Sequence, residues 1–231
     1  MEVSQHATED GVRDALRDAR VGAALALLAA IGLLVVYGII SRQEDWRASG
    51  APWWAWLVLA APEVGLLAAL IVSALGGIRP GRHRDVVLGL LAVLAAASLA
   101  GTGILMWVLA TANVTAGQLL LGALVVWTTD LIAFALLFWE LDGGGPLRRV
   151  TEGRRFPDFQ FPQDQNPDLA RPGWRPRLLD YLYLSLTNSL AVSPTDTMPL
   201  ARWAKVLMAI ESLVSTALLL LVIARAVNVL T

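Results

Sequence analysis

The chain has 231 residues, 56% of them hydrophobic, with a mean hydropathy of +0.60 and a formal charge of −1. Soluble domains carry an apolar share of roughly 45–50%; here the excess falls in long blocks nearly free of charge, which excludes an ordinary soluble fold. The lack of cysteine excludes disulfides, cysteine catalysis and thiolate metal sites.

Residues 1–20 form a polar N-terminal arm with acids early (Glu9, Asp10) and Arg17 and Arg20 late, the charge order of a short surface helix. The apolar run 21–40 follows. A signal peptide has an apolar stretch of about 7–15 residues, so this longer run predicts a retained first span. A hydrocarbon core roughly 30 Å thick takes about 20 apolar residues per helix. Runs 53–75, 86–110 and 118–139 also meet that length, as does 204–224, which is apolar apart from Lys205 and Glu211. Their length without period-two alternation excludes strands.

The connections carry their own signals. Trp46, Trp53, Trp54 and Trp56 cluster at the mouth of the second run like an interfacial belt. Residues 76–85 (GGIRPGRHRD) read as a basic turn. Residues 111–117 (TANVTAG) are so few that the third and fourth spans must form an antiparallel hairpin. Residues 141–177 lack a helical or strand period and are rich in Gly, Pro, Asp and Arg, which predicts an extramembrane loop. Residues 178–190 then suit a helix too short for a crossing, stopped before Ser193-Pro194, with Asp180 at its positive end.

The segment LTNSLAVSPTDTMP (186–199) resembles, without a gap, the potassium-channel stretch L-T-T-L-T-T-V-G-Y-G-D-x-x-P. Pro199-Leu200-Ala201-Arg202 and the Glu211 helix are similar to the start of that family's inner helix, and Val222-Ile223-Ala224-Arg225 to its end. The likeness covers about 52 residues and implies a pore helix, filter loop and inner helix (residues 178–231) behind a four-helix transmembrane region (21–140). An aromatic D-x-L-Y-F-like segment followed by a non-glycine loop also resembles a bacterial membrane family to which no activity attaches. The bias of the basic residues to Arg, with Lys205 the one lysine, suits a bacterial source.

The departure from the channel pattern is central. Where that family has T-V-G-Y-G, this chain has Ala191, Val192, Ser193, Pro194 and Thr195. Backbone carbonyls of the filter replace the ion's water shell, and glycine permits the backbone angles involved. Pro194 fixes its own φ and biases Ser193 towards extended backbone. Potassium selectivity is therefore not implied. Ser193, Thr195, Asp196 and Thr197 would face a permeant ion or water instead. A voltage sensor needs Arg at every third position of a span, and the first four runs contain none.

Two acids lie mid-span, Glu63 behind Pro62 and Asp130 behind Thr128 and Thr129. Intramembrane acids are functional candidates by default: here either a proton or cation path, or acids bonded to a Thr or a backbone carbonyl between helices. Glu211 is expected at the interface or paired with Lys205. The basic cluster within 148–155 is expected to touch lipid headgroups or to set topology. Positive charge favours a cytoplasmic N-terminus.

His6 and His83 lie outside the spans, and no HExxH site, G-x-S-x-G elbow or Walker loop is present. The expectation is an all-α multi-pass protein of the cell inner (plasma) membrane, with five transmembrane helices and a re-entrant half-helix before the last; six spans are the alternative. Its function would be channel-like, with the lipid bilayer and monovalent cations or protons as partners and a homo-oligomer, a tetramer if channel-like, as the assembly. The alternatives are a non-conducting scaffold and a proton-coupled carrier using Glu63 and Asp130. No enzyme activity, cofactor, metal or nucleic-acid partner is expected.

Overall fold

The computed structural model describes residues 2–43, 53–75, 80–111, 115–151, 157–190 and 196–230. Five helical stretches in it are long and apolar enough to cross a membrane, at Arg20–Gln43, Trp53–Ala74, Arg84–Val108, Leu120–Gly144 and Arg202–Val227. This is a multi-pass membrane architecture with five candidate spans.

Helix α1 runs unbroken from Glu2 to Gln43. The polar arm is thus the first part of the first span's own helix and not a separate surface helix, because no proline interrupts it. Its buried stripe is Ala23, Leu27, Ala30, Leu34 and Tyr37, spaced for one helical face. Alanines there let a neighbouring backbone come close.

The second span is two helices, α2 (Trp53–Leu59) and α3 (Ala61–Ala74). Pro62 in the first turn of α3 has no N–H to give and crowds the preceding turn, so the helix breaks at Ala60. Trp53 and Trp54 are exposed as a belt requires, whereas Trp56 is buried and meets Tyr37 edge-on at 4.7 Å. Helices α4 (Pro80–Thr111) and α5 (Ala116–Leu141) pack along each other as the hairpin reading requires. Thr115 caps α5 reciprocally with Gln118, at 3.0 and 3.3 Å.

Helix α5 is the axis of the bundle. Residues 132–139 are buried without interruption, and α1, α4, α8 and α9 all pack on it. Such all-round burial is why its apolar run shows no polar face.

The stretch after α5 was expected to lack regular structure, and here the structure differs. The chain reverses through Gly143, Gly144 and Gly145 at φ 58°, 82° and 99°, a region where side chains with a Cβ are strained. It then forms α6 (Pro146–Thr151), β1 (Phe159–Gln160), α7 (Pro162–Gln165) and a 3-10 turn at Pro167–Leu169. Helix α8 spans Leu178–Leu190, β2 Met198–Pro199 and α9 Arg202–Leu230. Strands β1 and β2 pair antiparallel, Phe159 opposite Pro199 and Gln160 opposite Met198. The loop is structured because tertiary partners, invisible to local periodicity, supply its hydrogen bonds.

Candidate functional site

The end of α5 carries a wholly buried carboxylate, Asp142. Its Oδ1 accepts the backbone N–H groups of Asp158 (2.8 Å) and Phe159 (3.2 Å), and its Oδ2 accepts the Tyr181 hydroxyl at 2.5 Å. Arg149, also buried, places Nη1 4.0 Å from Oδ2 and donates to the carbonyls of Trp139 (2.7 Å) and Asp142 (2.5 Å). A buried ion pair is tolerated when its remaining donors and acceptors are met in this way. Arg149 is therefore a structural cation beneath the loop, which corrects the headgroup reading for that member of the basic cluster. Arg148 remains exposed, and Arg154 and Arg155 lie outside the described residues.

Asp158 extends the hub. Its Oδ2 accepts the Gly143 N–H (2.8 Å) and its Oδ1 the Trp203 indole N–H (3.2 Å), while its carbonyl accepts the N–H of Leu200 at 2.8 Å. Phe159 seats its ring among Phe138 (5.3 Å), Trp203 (5.6 Å) and Tyr181 (6.3 Å). Phe161 stands against Tyr181 (5.3 Å) and Trp174 (5.9 Å). The hub was missed from sequence, although Phe159-Gln160-Phe161 carried a signal. Alternation puts both phenylalanines on one side of an extended segment, and both are buried with Gln160 between them half-buried.

One turn deeper, α8 buries Tyr181, Leu184, Ser185, Asn188 and Ser189, a single face at helical spacing. Asp180 stands in its first turn, as expected, and accepts the Arg177 N–H at 2.7 Å. The buried face meets Glu211 of α9, which is 1% exposed. Ser185 Oγ is hydrogen-bonded to Glu211 Oε1, and Asn188 Nδ2 donates to Oε2 at 2.6 Å. The expectation that Glu211 is interfacial or paired with Lys205 is corrected. A separation of six residues turns a helix through about 600°, which leaves the two some 120° apart; Lys205 faces outwards.

Asp130 is 4% exposed and takes the Thr102 hydroxyl of α4 on Oδ2, with Ser98 beside it. This is the threonine partnership anticipated for it, although the threonine comes from α4. Thr128 and Thr129 bond carbonyls of their own helix, at Leu124 (2.7 Å), Val125 (3.1 Å) and Val126 (2.9 Å). Glu63 is 3% exposed in the first turn of α3. Its Oε2 and the Oδ1 of Asp130 are buried without a hydrogen-bond partner. Thr102, and not Glu63, meets Asp130.

Of the filter-like residues, Ala191, Val192, Ser193, Pro194 and Thr195 lie outside the described residues. Asp196 is exposed and Thr197 buried at the approach to β2. Among the described residues no three His, Cys, Asp or Glu side chains gather to hold a metal ion. What the arrangement offers chemically is a column of carboxyl, hydroxyl and carboxamide groups inside an apolar bundle. No protein-family model, curated protein or solved structure matches this chain.

Proposed function

We propose that this is a channel-like integral membrane protein in which residues 178–200 enter and leave the bilayer on one side, with 191–197 lining the turn. One relationship carries the reading. Tyr181, near the start of the segment, and Leu200, at its end, are both tied to the cap of α5, the first through Asp142 and the second through Asp158. Helix α8 is roughly 20 Å long at 13 residues, short of a hydrocarbon core of about 30 Å. Its lower end is at the depth of Met208 and Ser212, since Asn188 donates to the Met208 carbonyl (2.9 Å) and accepts from Ser212 (3.0 Å). A short helix in a segment whose two ends are held at one level fits a pore loop, and non-helical backbone at membrane depth is tolerated where protein or water surrounds it. In an oligomer, exposed Asp196 side chains around an axis would select for cations by charge, without potassium preference.

Single-cysteine labelling from either face of the membrane tests this, since the parent has no cysteine. Leu169→Cys and Met198→Cys should label from one face, the cytoplasmic one by charge distribution, and Thr115→Cys from the other. Labelling of position 198 from the same face as 115 would establish the six-span topology instead.

A second reading, a non-conducting scaffold, is favoured by one observation. The polar face of α8 is consumed inside the protomer, Ser185 and Asn188 both going to Glu211.

A further inference from the structure

Where the first span ends and the second begins, α1 and α2 enclose a cleft of about 360 Å³. It is lined by Gly38, Ile39, Arg42 and Gln43 of α1 and by Trp53 and Leu57 of α2. That size falls in the range of small-molecule sites, roughly 300–1,000 Å³. Gly38 brings the two helices together at its floor, since a Cβ there would lie 3.4 Å from the Trp53 carbonyl and 3.6 Å from Leu57 Cδ2. Ile39, Trp53 and Leu57 present exposed apolar surface beside it. Arg42 stands over the Trp53 ring with its guanidinium carbon 5.0 Å from the centroid, a cation on an aromatic face.

The lining is graded along the membrane normal. Helix α1 ends where α2 begins, so Arg42, Gln43 and Trp53 share the level of the span ends. Gly38, Ile39 and Leu57 lie about one helical turn deeper, roughly 5 Å. Donors therefore stand at the headgroup level and hydrocarbon at the level of the acyl chains. The six lining residues include one cation and no acid. Stacking on Trp53 uses the face of the guanidinium, whereas the N–H fork that pairs with two phosphate oxygens lies in its plane.

We propose that this cleft binds an anionic phospholipid of the leaflet opposite the N-terminus. Its phosphate sits on the Arg42 fork, the Gln43 amide donates to the headgroup, and an acyl chain lies along Ile39 and Leu57. A net negative headgroup complements the single cation, while a zwitterionic lipid brings a cation of its own. A free phosphate ion would leave the apolar half of the cleft unused. The site is separate from the basic cluster within 148–155, and it does not depend on whether the chain forms a pore.

Thermal unfolding of the purified full chain in a neutral detergent tests the proposal, because a ligand of the folded state raises the melting temperature saturably. The titrants are dioleoylphosphatidylglycerol, dioleoylphosphatidylcholine and inorganic phosphate, and the first alone should stabilise the parent strongly. Arg42→Gln should weaken its apparent affinity by about tenfold or more, the loss of a charge-assisted fork. Arg42→Lys should weaken it less. Leu57→Trp, which fills the deeper half of the cleft and leaves Arg42 in place, should weaken it too. Arg171→Gln removes an exposed cation elsewhere and should bind like the parent. Parent-like affinity in Arg42→Gln or in Leu57→Trp would overturn the proposal, as would equal losses in Arg42→Gln and Arg171→Gln. Equal stabilisation by phosphatidylcholine or by inorganic phosphate would also overturn it. So would a parent that the anionic lipid does not stabilise, the result expected if the neighbouring Glu44 or Asp45 already occupies Arg42.

Discussion

Tyr181 donates its phenol to Asp142 at 2.5 Å across 39 residues of chain, joining the start of α8 to the end of α5. Tyr181→Phe keeps the ring among Phe159 and Phe161 and removes only this bond. A hydrogen bond to a charged group contributes about 1.5–3 kcal/mol, and the variant should lose that much stability in thermal unfolding in detergent. Asp142→Ala should lose more, about 3–5 kcal/mol, because Arg149 is then buried without its counter-charge. Equal stability in the two variants would show that the phenol, and not the ion pair, is what the hub depends on.

At Gly122 the Tyr37 hydroxyl of α1 lies close against α5. A Cβ there would lie 2.7 Å from the Tyr37 hydroxyl and 3.4 Å from Leu105 Cδ1. Gly122→Ala should therefore destabilise the bundle by about 1–3 kcal/mol, although alanine is the better helix former. Gly122→Ala combined with Tyr37→Phe should recover part of the loss. A parent-like melting temperature for the single variant would mean that the helices separate freely at this point.

Asp130→Asn should fold like the parent, since its amide group can still accept from Thr102. Asp130→Leu leaves the Thr102 hydroxyl without that partner and should cost about 1–3 kcal/mol. The comparison is made by fluorescence-monitored thermal unfolding; identical curves for the two variants would show that the Thr102 contact contributes nothing.

If the assembled protein conducts, the current should discriminate little between potassium and sodium and should favour cations over anions. Reversal potentials in planar bilayers, first under potassium/sodium exchange and then under a salt gradient, measure both. Asp196→Asn should weaken the preference for cations without abolishing current. Marked potassium preference would show that a glycine-free turn can build a carbonyl filter, and inserted protein without current would favour the scaffold.

The helices were legible because a bilayer imposes a length, and the runs ending near Ile40, Trp139 and Ala224 each satisfy it. The short helix over 178–190 was legible for a local reason, since Ser193-Pro194 limits how far a helix before it can run. Glu211 was misread because its nearest charge in sequence, Lys205, lies on another face, while its actual partners, Ser185 and Asn188, are 26 and 23 residues away. The hub was illegible in the same way: Asp142 finds Asp158, Phe159 and Tyr181 at separations of 16, 17 and 39 residues. Only the alternation of Phe159 and Phe161 hinted that the loop had an inside.

In a chain with no cysteine, the Asp142–Asp158 hub does the closing that a disulfide does elsewhere. It gathers positions from 142 to 203 into one knot, a loop of some sixty residues. Covalent closure of such a loop restricts the unfolded chain as well as the folded one. This clasp exists only in the folded state, so it must overcome the entropy of closure each time it forms. Its members are therefore lost together: removal of Asp142 releases the N–H groups of Asp158 and Phe159 and the Tyr181 hydroxyl at once.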